Sequence, residues 1–301
     1  MTGGSRGLGL QLARELLGRG ARIAICGRDS TALDAALAGL QPLGEVLAAP
    51  CDVRHPQEAD DFVSAIVARF GGLDVIINNA GTIAVGPMNS MTMDDYKDAL
   101  DTHLWGALHM IKAALPELRR ARGRIVNIAS IGGLISVPHL LPYNVSKFAL
   151  VGLSEGLGAE LQQSGVRVTT VCPGLMRTGS PRNAWFKGNQ SSEYAWFALS
   201  ATLPFSSISA PAAARQIIDA LVSGRRFIVL SWQARLAARF HANFPGLTVS
   251  LLSLVAWTLP KASQADTGRA LGSASESAIT QSPLTTLGRK AETDLNQVRD
   301  G

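Results

Sequence analysis

The sequence has few charged residues, and its basic residues do not cluster. Charged side chains make up 17% of the 301 residues and hydrophobic ones 47%, so a sizeable core can form and global disorder is excluded. Lysines and arginines are scattered along the chain, which argues against a nucleic-acid surface. The net charge of +5 is modest and leaves small anionic molecules as partners.

Cysteine is also scarce, with only Cys26, Cys51 and Cys172 present. None forms a C-x-x-C pair or lies near histidines at metal-ligand spacing, so we expect no metal site. Each ends an apolar, strand-like run, which predicts small buried side chains in a reducing compartment. Met1 runs directly into a glycine-rich loop rather than a signal peptide, and we expect a cytoplasmic protein.

Helix-like and strand-like segments alternate from residue 2 to about 230, without an internal repeat. Fully apolar strands between amphipathic helices are typical of a parallel sheet covered on both faces. Right-handed crossovers then give a doubly wound, Rossmann-like α/β fold. The predicted strands are 21–26, 45–50, 73–77, 124–129, 166–172 and 226–230, and the predicted helices are 7–19, 30–40, 57–70, 92–120, 142–163 and 211–223.

A glycine-rich loop precedes the first predicted helix. Its glycines let the backbone turn tightly and approach a pyrophosphate without a Cβ in the way. The helix N-terminus then offers unpaired N–H groups to the phosphates. The alternative is an ordinary glycine-rich turn. The loop reads Thr2-Gly3-Gly4-Ser5-Arg6-Gly7-Leu8-Gly9.

The turn after strand 21–26 carries Gly27 and Arg28, where NAD-binding folds usually place an acidic residue for the ribose hydroxyls. Arg6 can approach the same place from the glycine-rich loop. Two guanidinium groups around a 2′-phosphate favour NADP(H) over NAD(H). Asp29 is close enough to oppose this preference, and the alternative is that both arginines are merely solvated.

Tyr143 and Lys147 lie four residues apart at the start of a predicted helix, so they share one face. A phenol titrates near 10, and a nearby ammonium group is expected to lower that pKa and suit it to proton transfer. Ser130 ends the preceding strand, which places its hydroxyl at the ligand-binding edge of a parallel sheet. The Tyr-x-x-x-Lys spacing alone is weak evidence for an active site, because many surface helices contain it by chance.

Together these motifs resemble the short-chain dehydrogenase/reductase family. The match covers residue 2 to about 230, with the elements in the family's order and spacing. The matching elements are Thr2-Gly3-x-x-x-Gly7-x-Gly9, Asn78-Asn79-Ala80-Gly81, Ser130, Tyr143-x-x-x-Lys147 and Pro173-Gly174.

The resemblance implies an oxidoreductase that moves a hydride between the nicotinamide and a carbonyl or alcohol. It implies that Tyr143 is the general acid/base, that Lys147 holds the nicotinamide ribose and tunes Tyr143, and that Ser130 orients the substrate oxygen. It also implies cofactor contacts and a homo-oligomer, either a dimer or a tetramer. The implied contacts are Asp52 and Val53 at the adenine, Asn79, Ala80 and Gly81 near the ribose, and Pro173, Gly174 and Thr178 at the nicotinamide.

Two positions depart from the family. His103 stands where the family usually has an asparagine that anchors a water in a proton relay behind the lysine. A histidine can also donate and accept, so the relay persists in one interpretation, and in the other His103 has only a local backbone partner. The second departure is the start: the family has a central strand before the Thr-Gly loop, and here only Met1 precedes it. We therefore expect the native chain to extend upstream.

We divide the chain into three parts: a dinucleotide-binding and catalytic domain over 1–230, apolar and amphipathic helices over 231–260, and a polar, largely disordered tail over 261–301. In the first part, the aromatic-rich stretch 179–210 is expected to cover a hydrophobic substrate. Leu247–Leu259 is too short to span a bilayer. Together with the basic stretch that precedes it, this apolar stretch covers residues 233–259. The pattern predicts a pocket lid, a subunit contact, a peripheral membrane contact or none of these.

Two other function classes remain open. The shortened start and His103 leave room for a non-catalytic, NADP(H)-binding regulatory protein, although the intact Ser130, Tyr143 and Lys147 argue against it. An epimerase or dehydratase on a related fold is the other, and the glycine spacing counts against it. The sequence does not identify the substrate or the direction of reaction.

Overall fold

The computed structural model describes residues 1–261, 267–278 and 280–298. Parallel strands alternate with helices that cover both faces of the sheet, as the apolar periodicity predicts. The helices are α1 (Gly7–Leu17), α2 (Ser30–Leu40), α3 (Pro56–Phe70), α4 (Met93–Leu100), α5 (Gly106–Ala121), α6 (Leu141–Glu160), α7 (Gln190–Thr202), α8 (Ala210–Ser223), α9 (Trp232–Asn243), α10 (Pro245–Thr258) and α11 (Thr286–Asp294). The strands are β1 (Ile23–Gly27), β2 (Val46–Pro50), β3 (Val75–Asn78), β4 (Ala84–Val85), β5 (Arg124–Ile128), β6 (Arg167–Cys172), β7 (Leu175–Arg177), β8 (Trp185–Lys187), β9 (Ser207–Ser209), β10 (Phe227–Val229) and β11 (Arg269–Leu271).

The main sheet has two hydrogen-bonded parts. Strand β1 pairs with β2, and the second part has the order β10-β6-β5-β3, with all pairs parallel. Met1 and Thr2 lie between the two parts. The N–H of Cys26 donates to the Met1 carbonyl at 3.1 Å, and the N–H of Thr2 donates to the Ile77 carbonyl at 3.0 Å. The doubly wound arrangement that the sequence predicts is therefore confirmed.

Apolar cores fill both faces of the sheet. On one face, Phe62 of α3 and Ile111 of α5 pack with Ile125 of β5. On the other face, Leu12 of α1 and Ile217 of α8 are completely buried. Burial of these large side chains fixes the strands, whose carboxyl ends then carry the candidate site at one edge.

The predicted helix over 92–120 is interrupted. Helix α4 continues into one wide π-helical turn over Asp101–Trp105, which then leads into α5. The turn contains His103, whose side chain is buried. Such a turn is a common feature of functional sites, because the extra residue redirects a side chain.

The aromatic-rich stretch forms a small core of its own. Phe186, Tyr194 and Phe197 are buried and contact one another edge to face. These rings stabilise the segment itself, and the expectation that residues 179–210 cover a hydrophobic substrate stays a prediction. Phe205, in contrast, is 89% exposed.

The polar tail differs from the expected disorder over 267–278 and 280–298. Strand β11 pairs antiparallel with β8, and the side-chain amide of Asn296 donates to the carbonyls of Ser5 and Ala32. Leu295 is buried. The segment is ordered because hydrogen bonds hold it on the α/β domain. Its composition, which is poor in apolar residues, does not reveal these hydrogen bonds. The rest of the expected tail lies outside the described residues.

Candidate functional site

A cleft of about 740 Å³ lies at the carboxyl edge of the sheet. Most of the residues proposed from the sequence share it, although they come from distant parts of the chain. The proposed residues that line it are Gly3, Ser5, Arg6, Gly7, Leu8, Arg28, Asp52, Val53, Asn79, Ala80, Gly81, His103, Ser130, Tyr143, Lys147, Pro173, Gly174 and Thr178.

Thr2 and Gly9, which the sequence suggested as cofactor contacts, do not line the cleft. The buried Thr2 hydroxyl accepts hydrogen bonds from the N–H groups of Asn79 and Ala80, at 3.0 and 2.9 Å. A Cβ at Gly9 would lie 2.1 Å from the carbonyl oxygen of Gly3. These two residues therefore act from behind the cleft wall, by holding the glycine-rich loop against the strand-end loop.

The glycine-rich loop has the shape of a phosphate cradle. Gly3 and Gly7 have φ of +60° and +58°, and a Cβ at Gly3 would lie 2.9 Å from the Cα of Ala80. Helix α1 begins at Gly7 without a side-chain cap, and Gly7 and Leu8 line the cleft. A dinucleotide pyrophosphate fits this cradle, because backbone donors and the helix dipole favour an anion there.

Part of the cradle is bonded to the C-terminal segment. The N–H of Gly7 donates to the Leu295 carbonyl at 2.8 Å. The side-chain amide of Gln297 donates to the Thr178 carbonyl at 3.0 Å and accepts from Asn183 at 2.7 Å. Sequence reasoning missed Gln297 and Asn183, because neither belongs to a motif and Gln297 lies in the segment expected to be disordered.

Charged groups gather where a cofactor's adenosine end would lie. Arg6 forms an ion pair with Asp29 at 2.8 Å, and Arg28 lines the cleft beside them. Burial alone would raise the pKa of Asp52, but its hydrogen bonds with Arg54 outweigh burial and hold the pKa below the usual value. Asp52 therefore remains a carboxylate near neutral pH.

Tyr143 and Ser130 face each other in the cleft. Burial raises the pKa of the Tyr143 phenol to about 12, although the hydroxyl of Ser130 acts in the opposite direction through a hydrogen bond. The Ser130 hydroxyl oxygen also accepts from the Gly132 N–H at 3.0 Å, which fixes its position at the end of β5. The phenol is thus neutral and able to donate a proton.

Lys147 lies behind the Tyr143 ring, one helical turn along α6. Its ammonium nitrogen is 5.7 Å from the ring centroid and donates to the Ile128 carbonyl at 2.8 Å. Burial lowers the pKa of Lys147 to about 7. The expectation that a nearby ammonium lowers the pKa of the phenol is not met, because burial moves both groups towards their neutral forms.

His103 is committed to partners other than Lys147. Its Nε2 accepts from the Thr82 N–H at 3.1 Å, and its Nδ1 contacts the Ser146 hydroxyl at 2.7 Å. That hydroxyl donates in turn to the carbonyl of Tyr143 at 2.8 Å. The network assigns the proton to Nδ1.

Burial lowers the pKa of His103 well below its ordinary value, and Lys147 adds to the effect. The ring is therefore neutral and both its nitrogens are in use. A catalytic relay through His103 is not what the described contacts support. The partners also differ from the local backbone partner of the second interpretation, since Thr82 and Ser146 are 21 and 43 positions away.

Apolar side chains from three segments line the open side of the cleft beyond Tyr143. Ile83 follows the Asn79–Gly81 loop, Trp185 begins β8, and Leu271 ends β11. Of the six aromatic residues that the sequence singled out in 179–210, Trp185 alone lines the cleft among the described residues. The C-terminal helices α9 and α10 do not line it, which argues against a pocket lid there.

Comparison with known proteins gives consistent matches. The family model described as short chain dehydrogenase matches residues 1–186. A putative ketoacyl reductase of Streptomyces coelicolor is 39% identical over 182 residues, which cover 59% of this chain and 70% of that protein. A D-beta-hydroxybutyrate dehydrogenase of Rhizobium meliloti is 34% identical over 184 residues, with 59% of this chain and 70% of that protein covered.

Solved structures agree in fold. An actinorhodin polyketide ketoreductase variant crystallised with NADPH superimposes with a TM-score of 0.67 at 31% identity, covering 76% of this chain and 94% of that one. A short chain dehydrogenase/reductase from Burkholderia phymatum in complex with NAD gives a TM-score of 0.74 at 22% identity, covering 82% and 93%. The second likeness concerns the fold alone.

Proposed function

This chain belongs to the short-chain dehydrogenase/reductase family and is an oxidoreductase acting on CH–OH groups, and we propose that it transfers a hydride between NADP(H) and a carbonyl or secondary alcohol of an apolar substrate. One observation carries the proposal. Ser130, Tyr143 and Lys147 line the same cleft as the glycine-rich loop.

In the proposed reaction the nicotinamide supplies or accepts the hydride. The Tyr143 hydroxyl gives its proton to the substrate oxygen during reduction and takes it back during oxidation. Ser130 donates a hydrogen bond to the same oxygen and orients it, since its own oxygen already accepts from Gly132. Tyr143 lies on α6, and Ser130 lies two residues after β5 with its hydroxyl bonded to Gly132, which favours a fixed geometry.

Lys147 is the proposed electrostatic partner of Tyr143. Its pKa of about 7 allows Lys147 to take up or release a proton near neutral pH. Cofactor phosphates nearby would favour its charged form, and the charged form would favour the tyrosinate. We propose that His103 and Ser146 position Tyr143 and Lys147, and that His103 does not relay protons.

The cleft-lining loops are the proposed cofactor contacts. We assign the glycine-rich loop to the pyrophosphate, Asp52 and Val53 to the adenine, and the loop over 79–81 to the ribose. Pro173, Gly174 and Thr178 are assigned to the nicotinamide. The preference for NADP(H) rests on Arg28, and on Arg6 to the extent that Asp29 releases it.

Other features support the finer parts of the proposal. The apolar residues Ile83, Trp185 and Leu271 favour a hydrophobic substrate. We propose one catalytic domain over 1–230 with the later segments packed on it. Three buried free thiols fit a cytoplasmic location. We propose a homo-oligomer from the family membership.

Turnover of a panel of ketones by a Tyr143→Phe variant tests the proposal. With NADPH as the cofactor, we expect activity to fall to background while fluorescence titration shows an unchanged cofactor Kd, because the ring remains and only the proton is lost. Tyr96→Phe is the matched control, since Tyr96 does not line the cleft. Full activity of Tyr143→Phe would refute the assignment.

A further inference from the structure

Helices α9 and α10 form a hairpin, here called the C-terminal hairpin, whose apolar side chains face solvent. Trp257 is 83% exposed, Trp232 is 68% exposed and Leu254 is 63% exposed. Thr248 is the one buried residue in α10. Single exposed apolar residues are common on ordinary protein surfaces, but a cluster of large ones is typical of an interaction surface.

The exposed apolar residues of α10 cover a wide part of its circumference, while Thr248 and the residues at spacing four after it form a covered face. Successive residues in a helix are rotated by about 100°, so Val249 points nearly opposite to Leu247 and Leu251. All three are exposed, and so are Leu254 and Trp257. A helix with so wide an exposed apolar surface is typical of a protein or lipid contact. The basic residues of the same hairpin favour an anionic lipid surface over a second copy of this chain, which has a net charge of +5.

The length of α10 limits how it can meet lipid. Its 14 residues extend over about 21 Å, which is less than the roughly 30 Å of a hydrocarbon core. No helix among the described residues is long and apolar enough to cross a membrane. The hairpin therefore fits the boundary between headgroups and acyl chains, where amphipathic helices lie parallel to the surface.

Charge in this region has one sign. From Phe227 to Lys261 the sequence has the basic residues Arg235, Arg239 and Lys261 and no aspartate or glutamate. Arg235 and Arg239 are both exposed and lie one helical turn apart, on one side of α9. The Arg235 guanidinium also donates to the Val229 carbonyl at 2.8 Å, whereas Arg239 extends this basic side towards the end of the helix. Such a side attracts anionic headgroups, each basic residue strengthening attachment about fivefold.

Aromatic residues adjoin this basic side. Trp232, Leu236 and Phe240 follow one another at helical spacing along α9, and Trp232 and Leu236 are well exposed. The side-chain amide of Gln233 donates to the carbonyl of Phe205, so the exposed Phe205 lies next to the same helix. Tryptophan prefers the level of the headgroups, where its ring is apolar and its N–H remains solvated.

We propose that the C-terminal hairpin docks on an anionic lipid surface. Helix α10 enters the acyl-chain boundary, while Arg235, Arg239 and Lys261 meet the headgroup phosphates. The proposal does not rest on the catalytic assignment, because none of these residues lines the cleft.

Vesicle flotation of the full chain tests this docking. The probes are phosphatidylcholine vesicles, with and without one third phosphatidylglycerol. We expect binding to the anionic vesicles only, weakening as salt rises from about 0.05 to 0.5 M. Leu254→Ser with Trp257→Ser should reduce binding at least about tenfold. Arg239→Gln should reduce it about fivefold on anionic vesicles.

Val222→Ser is the matched control, since Val222 on α8 is 63% exposed and lies outside the hairpin. Turnover of a water-soluble ketone and thermal unfolding should be unchanged in the double variant, which shows that the domain is intact. Absent or charge-independent vesicle binding would overturn the proposal. Analytical ultracentrifugation gives a second test. A dimeric wild-type protein that does not bind vesicles, together with a monomeric double variant, would overturn the proposal, because the hairpin would then be a subunit contact.

Discussion

Gln297 and Thr178 are joined by a 3.0 Å hydrogen bond from the side-chain amide to the backbone carbonyl, although 119 positions separate them. Two residues earlier, the Leu295 carbonyl accepts from the N–H of Gly7. The C-terminal segment thus uses polar groups on both sides of the proposed cofactor cleft. A dinucleotide and this segment would compete for them.

Ending the chain after Asp294 should therefore strengthen NADPH binding. Each hydrogen bond that no longer has to be broken is worth about 1 kcal/mol, or about a fivefold lower Kd. Isothermal titration calorimetry measures the change. A chain ending after Gln297 is the control and should keep the wild-type Kd. A weaker affinity after the longer deletion would mean that Leu295 and Gln297 form part of the cofactor site.

His103→Asn should leave the pH dependence of kcat/KM unchanged around neutral pH, because burial holds the pKa of His103 well below its ordinary value and the ring stays neutral there. Its effect should be on stability. The folded-state pKa is lowered, so the unfolded chain binds the extra proton below about pH 6.5 and wild-type stability falls as pH falls through that value. Urea unfolding at several pH values should show a flatter profile for His103→Asn. Loss of an ionisation from the rate profile would restore the relay interpretation.

Asp29→Asn should raise the preference for NADPH over NADH about tenfold, because it frees Arg6 from its 2.8 Å ion pair and removes a charge that repels the 2′-phosphate. An asparagine oxygen can still accept from the Ala32 N–H, so the cap of α2 remains. The measurement is the ratio of kcat/KM for the two cofactors.

Arg28→Ala should weaken kcat/KM for NADPH about tenfold and change the value for NADH little, because only the former carries the 2′-phosphate. Arg19→Ala, in a residue that does not line the cleft, serves as the control for both substitutions. An equal loss with NADPH and NADH would contradict the assignment of Arg28.

Lys187→Met should destabilise the fold by about 3–5 kcal/mol, because it leaves the buried carboxylate of Asp95 without its partner at 2.6 Å. Adding Asp95→Asn should restore most of the loss. Burial raises the pKa of Asp95, but hydrogen bonds from Lys187 and Thr92 outweigh it and the net pKa is lowered.

The wild-type contribution of this pair is therefore present above about pH 4 and is lost as pH falls through the lower folded-state pKa. Urea unfolding of the single and double variants measures both effects. A double variant as unstable as Lys187→Met would show that packing, not charge, explains the loss.

The positions of Tyr143, Lys147 and Ser130 followed from the sequence because local rules decide them. Residues four apart in a helix share a face, and a strand-end residue of a parallel sheet lies at the ligand edge. The directions in which the pKa values of Tyr143 and Lys147 are shifted could not be predicted from the sequence. Whether the ammonium at Lys147 or burial governs the phenol depends on how much of the surrounding chain excludes water, which only the folded structure determines.

Contacts across long sequence separations could not be predicted either. The partners of His103 come from the loop at Thr82 and from Ser146 on α6, and no spacing rule connects them. Gln297 reaches Thr178 from a segment whose composition indicated disorder. Composition measures how much apolar surface a segment can bury, whereas this segment is ordered by hydrogen bonds to another part of the chain.

A Cβ at Gly174 would lie only 3.0 Å from the Cβ of Ala234, so the cleft wall and the first turn of α9 are in direct contact. When the hairpin is docked, this contact joins the cleft wall directly to the element that is bound to the lipid bilayer. A hydrophobic ketone dissolved in that bilayer would then arrive by diffusion in two dimensions, and turnover would follow its concentration in the lipid rather than in the surrounding water.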